Sequence, residues 1–357
     1  MTRLLIISVF SLVARLTCGQ DVDQDLTLWY DRPASAWEEA LPLGNGKTGA
    51  MVFGGTIREQ YQLNDNTLWS GYPDPGNNPQ AARYLPLVRR AVEKGDYSLA
   101  EKYWKKMQGP YSARYLHMGN LYLDFPDEFR HARNYRRSLD LSTATTTVSF
   151  DAGSVRYTRE SFISYPDKVM VVRITANKRN SVDLHAWLNS KLLYKTTAVA
   201  SGKMVLKGKA PMHVAHRPSE PFQVVYDERE NGEGMKFEIQ VKVKAEGGTI
   251  TRTDSSLQVS GANAVTLYLS DATSFNGFDK SPGLQGKDPS ADASENLAAA
   301  TKKNLDELRA SHVLDHHKLF NRVRLDLGKD PAAEKLPTDQ RMVRVNGGGN
   351  DPQLQTV

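Results

Sequence analysis

The sequence predicts a mainly β fold, a large antiparallel β-sandwich followed by a helical linker. Three observations predict it. From about residue 110 to 275, apolar and polar residues alternate with period two, the pattern of strands buried on one face. Turn-forming residues punctuate these runs at short spacing with no helical stretch between them, which favours antiparallel pairing over βαβ units. After about residue 293 the period changes to the helical one.

In chain order, the first regular elements are two helices. Pro86 to Glu93 carries Leu87, Val88, Ala91 and Val92, and Leu99, Ala100, Tyr103, Trp104 and Met107 form an apolar stripe at helical spacing. Strands follow at Leu121–Phe125, Thr146–Phe150, Val155–Tyr157, Val169–Ile174 and Val182–Leu188. Lys236–Val243 alternates strictly, with Phe237, Ile239, Val241 and Val243 facing inward, and Val265–Leu269 closes the series. Asp151-Ala152-Gly153, Asn231-Gly232 and Gly247-Gly248 are the turn signals. Residues 276–293 form a Gly/Pro/Ser/Asp-rich loop. The helical pattern then runs from Ala293 to about Val323, and Lys329–Val357 has too few apolar residues for a core of its own.

The chain has 357 residues, a formal charge of +5 and one cysteine. Residues 1–19 read as a secretory leader: Arg3 precedes an apolar run from Leu4 to Ala14, and Thr17 and Gly19 are small residues before a cut ahead of Gln20. Without Arg3 and Arg15 the balance falls to about +3, too weak for a nucleic-acid footprint. Cys18 leaves with the leader, and Arg15-Leu16-Thr17 is a poor lipobox, so lipid anchoring at Cys18 is not expected. The expected location is secreted or periplasmic. No run approaches the roughly 20 apolar residues of a membrane-spanning helix.

Several motifs give way to plainer readings. Gly44-Asn45-Gly46-Lys47-Thr48-Gly49 fits a phosphate-binding pattern, but Leu41 stands where a P-loop needs glycine and a strand-like run follows instead of a helix. A tight glycine turn feeding a strand is the better reading. His312 and His316 share a helix face, but Val313 stands where metalloprotease chemistry needs glutamate, so a solvated face is expected. Arg130, His131, Arg133, Arg136 and Arg137 read as a solvated basic loop. Glu38-Glu39 and Asp127-Glu128 are sequence neighbours and cannot flank one glycosidic bond. No serine nucleophile motif is present, and neither cofactor nor metal is expected.

The segment Tyr61–Pro75 is the most unusual, combining amides, a carboxylate and aromatic rings in a turn-rich stretch. Amides and acids bind hydroxyls and rings stack on C–H faces, so the mixture suits carbohydrate. It equally suits a rigid loop built on Asx turns. Asn64, Asp65, Asn66, Thr67 and Trp69 are the candidate residues, with Trp69 as core filler the competing reading. His213 and His216 flank a proline-rich loop that leaves a sugar contact open.

Here the chain resembles glycoside hydrolase family 95. The resemblance rests on Leu28-Trp29-Tyr30-Asp31-Arg32-Pro33, Trp37-Glu38-Glu39-Ala40-Leu41-Pro42-Leu43-Gly44-Asn45-Gly46, Gly49 to Gly55 and Leu63 to Gly71. It continues through Gly119 to Phe125, Tyr135 to Leu141, Leu319 to Gly328, Leu336 to Arg341 and Asn350 to Leu354. His117-Met118-Gly119-Asn120 departs from the family's usual Pro-Leu-Gly-Asp. The resemblance implies an α-L-fucosidase, or an enzyme of α-L-galactosides, with a β-sandwich, a helical linker and a catalytic (α/α)6 barrel. In that family the barrel supplies a glutamic acid as general acid, and asparagines with an aspartate that activate water, giving inversion. No position of this chain matches those motifs, and the sequence stops where the first barrel helix would begin, so the barrel is expected to be absent.

The expected organisation is therefore a leader at 1–19, the sandwich at 20–285, a linker at 286–327 and the start of the barrel region at 328–357. The implied partners are fucosylated glycans and the barrel, towards which Asn64, Asp65, Asn66, Thr67 and Trp69 would face. The alternative is a stand-alone structural or carbohydrate-binding sandwich without catalysis.

Overall fold

A computed structural model describes residues 26–199, 202–229 and 231–356. The leader, with Cys18, lies outside them. Four strands open the fold: β1 (Thr27–Tyr30), β2 (Leu41–Gly44), β3 (Thr48–Val52) and β4 (Arg58–Asp65). Helices α1 (Ala81–Glu93) and α2 (Tyr97–Lys105) follow, packed on each other with Tyr84 stacked on Tyr103. Asp96 caps α2 by accepting from the Leu99 amide. The next strands are β5 (Gly119–Asp124), β6 (Arg133–Asp140), β7 (Thr145–Ala152), β8 (Val155–Ser164), β9 (Val169–Ala176) and β10 (Val182–Asn189). Then come β11 (Leu193–Val199), β12 (Lys203–Lys209), β13 (His213–Val214), β14 (Val224–Val225), β15 (Lys236–Glu246), β16 (Thr249–Arg252), β17 (Ser256–Ala262) and β18 (Ala264–Thr273). Helices α3 (Pro289–Ala300), α4 (Leu305–Phe320), α5 (Thr338–Asn346) and α6 (Pro352–Thr356) complete it.

The strands form a nine-stranded sheet, ordered β1-β6-β7-β8-β9-β18-β15-β12-β11, a seven-stranded one, ordered β16-β17-β10-β5-β4-β3-β2, and a separate pair, β13-β14. Every strand pair is antiparallel, as the alternation predicts. The main core lies between the sheets. Tyr61 and Leu63 of β4, Leu121 and Leu123 of β5, and Ile239 and Val241 of β15 are all buried there. A second apolar layer joins Phe162, Val171 and Tyr268 on the nine-stranded sheet to Leu297, Ala300 and Leu308 of α3 and α4. The expected helical linker thus lies on the outer face of one sheet. The seven-stranded sheet carries no such helical cover among the described residues. No helix there is long and apolar enough to cross a membrane.

Two sequence expectations fail. The α4 histidines are not solvated. His312 is buried against Phe162, and its Nε2 lies 2.9 Å from the Thr143 carbonyl. His316 and His317 meet the carbonyls of Leu141 and Ser142 at 2.8 and 2.9 Å. The exposed carbonyls of the β6–β7 turn need donors, and imidazole N–H groups spaced along a helix provide them. The basic run departs from its solvated reading at one residue: Arg130 and His131 lie in an exposed 3-10 turn and Arg133 and Arg136 are exposed on β6, but Arg137 is not. Arg137 is fully buried, donates to the carbonyls of Arg32 and Glu39 at 2.8 and 2.6 Å, and stacks over the Tyr30 ring. Its side chain satisfies loop carbonyls that no sheet ladder reaches.

Candidate functional site

The site begins with the glycine turn between β2 and β3. Gly46 has φ +85°, a conformation that side chains resist. Asn45 Oδ1 accepts from the amides of Lys47 and Thr48 at 3.0 and 2.9 Å, closing an Asx turn. The turn is therefore a tight structural one, as expected, but its lysine has a specific task. Lys47 Nζ crosses the end of the sandwich and reaches Asp65 Oδ2 at 2.6 Å, the Asp271 carbonyl at 3.1 Å and Asp271 Oδ2 at 3.3 Å.

Asp65 ends β4 in the seven-stranded sheet, and Asp271 lies near the end of β18 in the nine-stranded one. The lysine therefore ties the two sheets together. Thr48 donates to Asp271 Oδ1 at 2.5 Å. Asp65 Oδ1 accepts from the Thr67 amide and hydroxyl at 2.8 and 2.5 Å, and the Thr67 hydroxyl also meets that of Thr273 at 2.6 Å. Burial is the largest single influence and would raise the Asp65 pKa, but the Lys47 ammonium together with hydrogen bonds from Asp271, Lys47 and Thr67 holds the group below the usual carboxylate range. Asp271 is wholly buried, and burial pushes it up to about 7; Lys47 opposes this and the neighbouring Asp65 charge adds to it. Lys47 is raised, because the two carboxylates outweigh its own partial burial.

Above this knot the chain turns outward. Leu68 is fully buried and anchors the turn, while Trp69 is 42% exposed. The indole Nε1 donates to the Asn66 carbonyl at 2.9 Å, and the ring packs edge-on against Tyr115 at 5.3 Å. Residues 69 and 115 also pair as an isolated antiparallel bridge. A cavity of about 340 Å³ opens beside the knot, lined by Lys47, Thr67, Lys168, Asp271 and Phe275. A neighbouring cleft of similar volume is lined by Tyr72, Tyr111, His213, His216 and Glu220. There Tyr111 stacks on His216 at 4.7 Å, and Glu220 Oε1 accepts from the His216 and Arg217 amides.

Of the five sequence candidates, Asp65 and Thr67 belong to the knot, and Asn66 and Trp69 form the surface above it. Asn64 departs: Leu63 and Asp65 point inward, so alternation turns Asn64 to the outer face of its sheet. Trp69 does not fill the core. The stretch is also less loop-like than expected, since Arg58–Asp65 is strand and the turn starts only at Asn66. Lys47, Thr48, Asp271, Thr273 and Tyr115 were missed. Asp271 had a legible signal: it continues the inward series Val265, Leu267, Leu269, where a carboxylate needs a partner across the core. The knot joins the ends of β4 and β18, one from each sheet. Asp65 and Asp271 share one lysine and are almost wholly buried, with Asp271 at the wall of the cavity beside the knot. Among the described residues no group of three or more His, Cys, Asp or Glu side chains is arranged to hold a metal.

Comparison with known proteins gives two family matches. Residues 28–277 match the glycosyl hydrolase family 65 N-terminal domain, and residues 304–357 match the glycosyl hydrolase family 95 catalytic domain. The second match begins inside the stretch expected as linker. Alpha-L-fucosidase 2 of Arabidopsis thaliana is 30% identical over 349 residues, which cover 94% of this chain and 41% of that protein. Probable alpha-fucosidase A of Aspergillus niger is 29% identical over 352 residues, covering 93% of this chain and 41% of that protein. Its namesake in Aspergillus oryzae is 24% identical over 361 residues, 46% of that protein. The chain thus spans less than half the length of these relatives.

Proposed function

Because the chain belongs to the glycosyl hydrolases, with a family 65-type N-terminal domain leading into family 95 sequence, we propose that it forms the N-terminal part of a secreted or periplasmic enzyme that removes terminal α-L-fucose, or α-L-galactose, from glycans with inversion. Bond cleavage belongs to an (α/α)6 barrel, and these residues supply the sandwich on which it rests. The observation that carries this reading is the state of the acids. The two carboxylates that converge at the candidate site share one lysine, accept from two threonine hydroxyls and are almost wholly buried, a setting that suits structural acids better than a pair flanking a sugar bond. The corner they hold, with Asn66, Trp69 and Tyr115, faces the barrel or the substrate lying on it. An exposed indole on a rigid turn suits either contact. In this reading residues 1–19 are the leader, 20–285 the sandwich, 286–327 the linker and 328–357 the start of the barrel region.

The test is turnover of an aryl α-L-fucoside. The 357-residue chain is expected to give none, whereas the same chain continued into the barrel of the Arabidopsis relative is expected to hydrolyse it. Enzyme-like turnover by the 357 residues alone would contradict the assignment.

A further inference from the structure

The outer face of the seven-stranded sheet is a second surface, remote from the helices α3 and α4 that cover the other sheet. Strand register aligns its side chains in rows. Gln60, Tyr122 and Trp187 form the middle row across β4, β5 and β10. The Tyr122 and Trp187 rings are stacked, 4.4 Å apart and 22° from parallel. The row on one side is Arg58, Asp124 and His185. Asp124 accepts from Trp187 Nε1 at 2.8 Å and pairs with Arg58, whose guanidinium lies within 5.8 Å of both ring centres. The rings are thus fixed from below and from the side. On the other side lie Gln62, Asn120 and Asn189. Gln60 Nε2 donates to Asn120 Oδ1 at 2.9 Å, and Asn120 Nδ2 donates to Asn189 Oδ1 at 2.8 Å. This amide chain has direction: it leaves the Gln60 oxygen as acceptor at one end and the Asn189 NH2 group as donor at the other. The buried Oε1 of Gln62 has no hydrogen-bond partner.

We propose that this face binds an uncharged oligosaccharide and holds it without cleaving it. Three features select that ligand. The basic groups on the three rows, Arg58 and His185, both face the Asp124 carboxylate, His185 Nδ1 at 3.6 Å, so a phosphate, a nucleic acid or an acidic polymer finds no unpaired cation there. The acceptor left on Gln60 and the donor left on Asn189 lie two strands, about 10 Å, apart, and suit hydroxyl groups on successive sugars, each of which both donates and accepts. The rigid ring pair offers C–H-compatible surface at little entropic cost. Alternate residues on a strand lie about 7 Å apart, so three rows span about 13 Å, the scale of a short oligosaccharide and not of one sugar. The inference does not depend on the reading of the Trp69 corner, because binding is measured without hydrolysis.

The experiment is native electrophoresis of the 357-residue chain through gels containing galactomannan, mixed-linkage β-glucan or xyloglucan, with polygalacturonate as the charged comparison. At least one uncharged polymer is expected to retard the chain, and polygalacturonate is not. Trp187→Ala is expected to weaken retardation by about tenfold, the worth of one aromatic contact. Asn189→Ala removes the amide donor without touching the rings and is expected to weaken it too, which keeps the test sound if Trp187→Ala misfolds. Trp104→Ala, an exposed tryptophan on α2, is expected to change nothing. Absence of retardation by all three uncharged polymers, retardation by polygalacturonate alone, or undiminished retardation of Asn189→Ala would overturn the proposal.

Discussion

At the scale of single residues, the knot of Lys47, Asp65 and Asp271 makes stability depend on pH in a definite direction. The Asp271 pKa rises from 3.8 to about 7 on folding, so the folded state favours its protonated form. The stability from that proton is complete below the unfolded value and is lost as pH rises through about 7, where Asp271 ionises beside the Asp65 charge. Asp65 acts oppositely: its pKa is lowered, so its contribution is lost only in acid, as pH falls through its folded value. Asp271→Asn mimics the protonated acid and can still accept from Thr48. The melting temperature of the parent is therefore expected to fall relative to Asp271→Asn between about pH 5 and about pH 8. Parallel melting curves across that range would show that Asp271 does not titrate there. Neither the pairing nor the shift was legible in the sequence, because 206 positions separate Asp65 from Asp271 and only the stacking of two sheets joins them.

At the scale of elements, α4 is tied to the nine-stranded sheet by imidazoles as much as by apolar contact. Asn304 and Glu307 form a capping box at its start, and Leu308 is buried, but His312, His316 and His317 supply the polar seam. That seam meets a turn in which Ala144 holds a left-handed φ of +48°, a conformation costing roughly 1–2 kcal/mol for a residue with a β-carbon. The bonds to Thr143 and Ala144 help hold the turn. Because Nε2 faces two carbonyls, the neutral ring carries its proton on Nε2. Burial lowers the His312 pKa from 6.5, the carbonyls only partly opposing it, so its contribution is present above about pH 6.5 and is lost as pH falls through the folded value. His312→Ala is expected to cost about 2–4 kcal/mol in denaturant unfolding at neutral pH, from the cavity and the unpaired carbonyl. A change below about 0.5 kcal/mol would mean that the histidine seam is incidental. The sequence showed the helix and the spacing of two of these histidines. It did not show what they faced, since the facing turn lies about 170 residues upstream.

At the scale of the whole molecule, period-two patterning made the sandwich legible, because each strand buries one face against the other sheet. The lone polar residues at inward positions were not legible in role. Glu59 and Arg159 are both buried and pair across the core, and Arg137 is sealed beneath a loop, yet each looks in sequence like an ordinary charged residue of an alternating strand. The candidate corner was found in part: the composition of residues 61–75 drew attention to it, but its supports come from the glycine turn and from β18. On the proposed reading the sandwich is a scaffold whose acids position a surface and leave bond cleavage to the barrel. That claim is tested most directly by aryl α-L-fucoside turnover in the barrel-extended chain carrying Asp271→Asn. A turnover number within about threefold of the parent is expected, since the substitution keeps the knot's shape and removes only an acid that never meets substrate. A loss of about a thousandfold with the fold intact would make Asp271 a catalytic carboxylate and contradict the account.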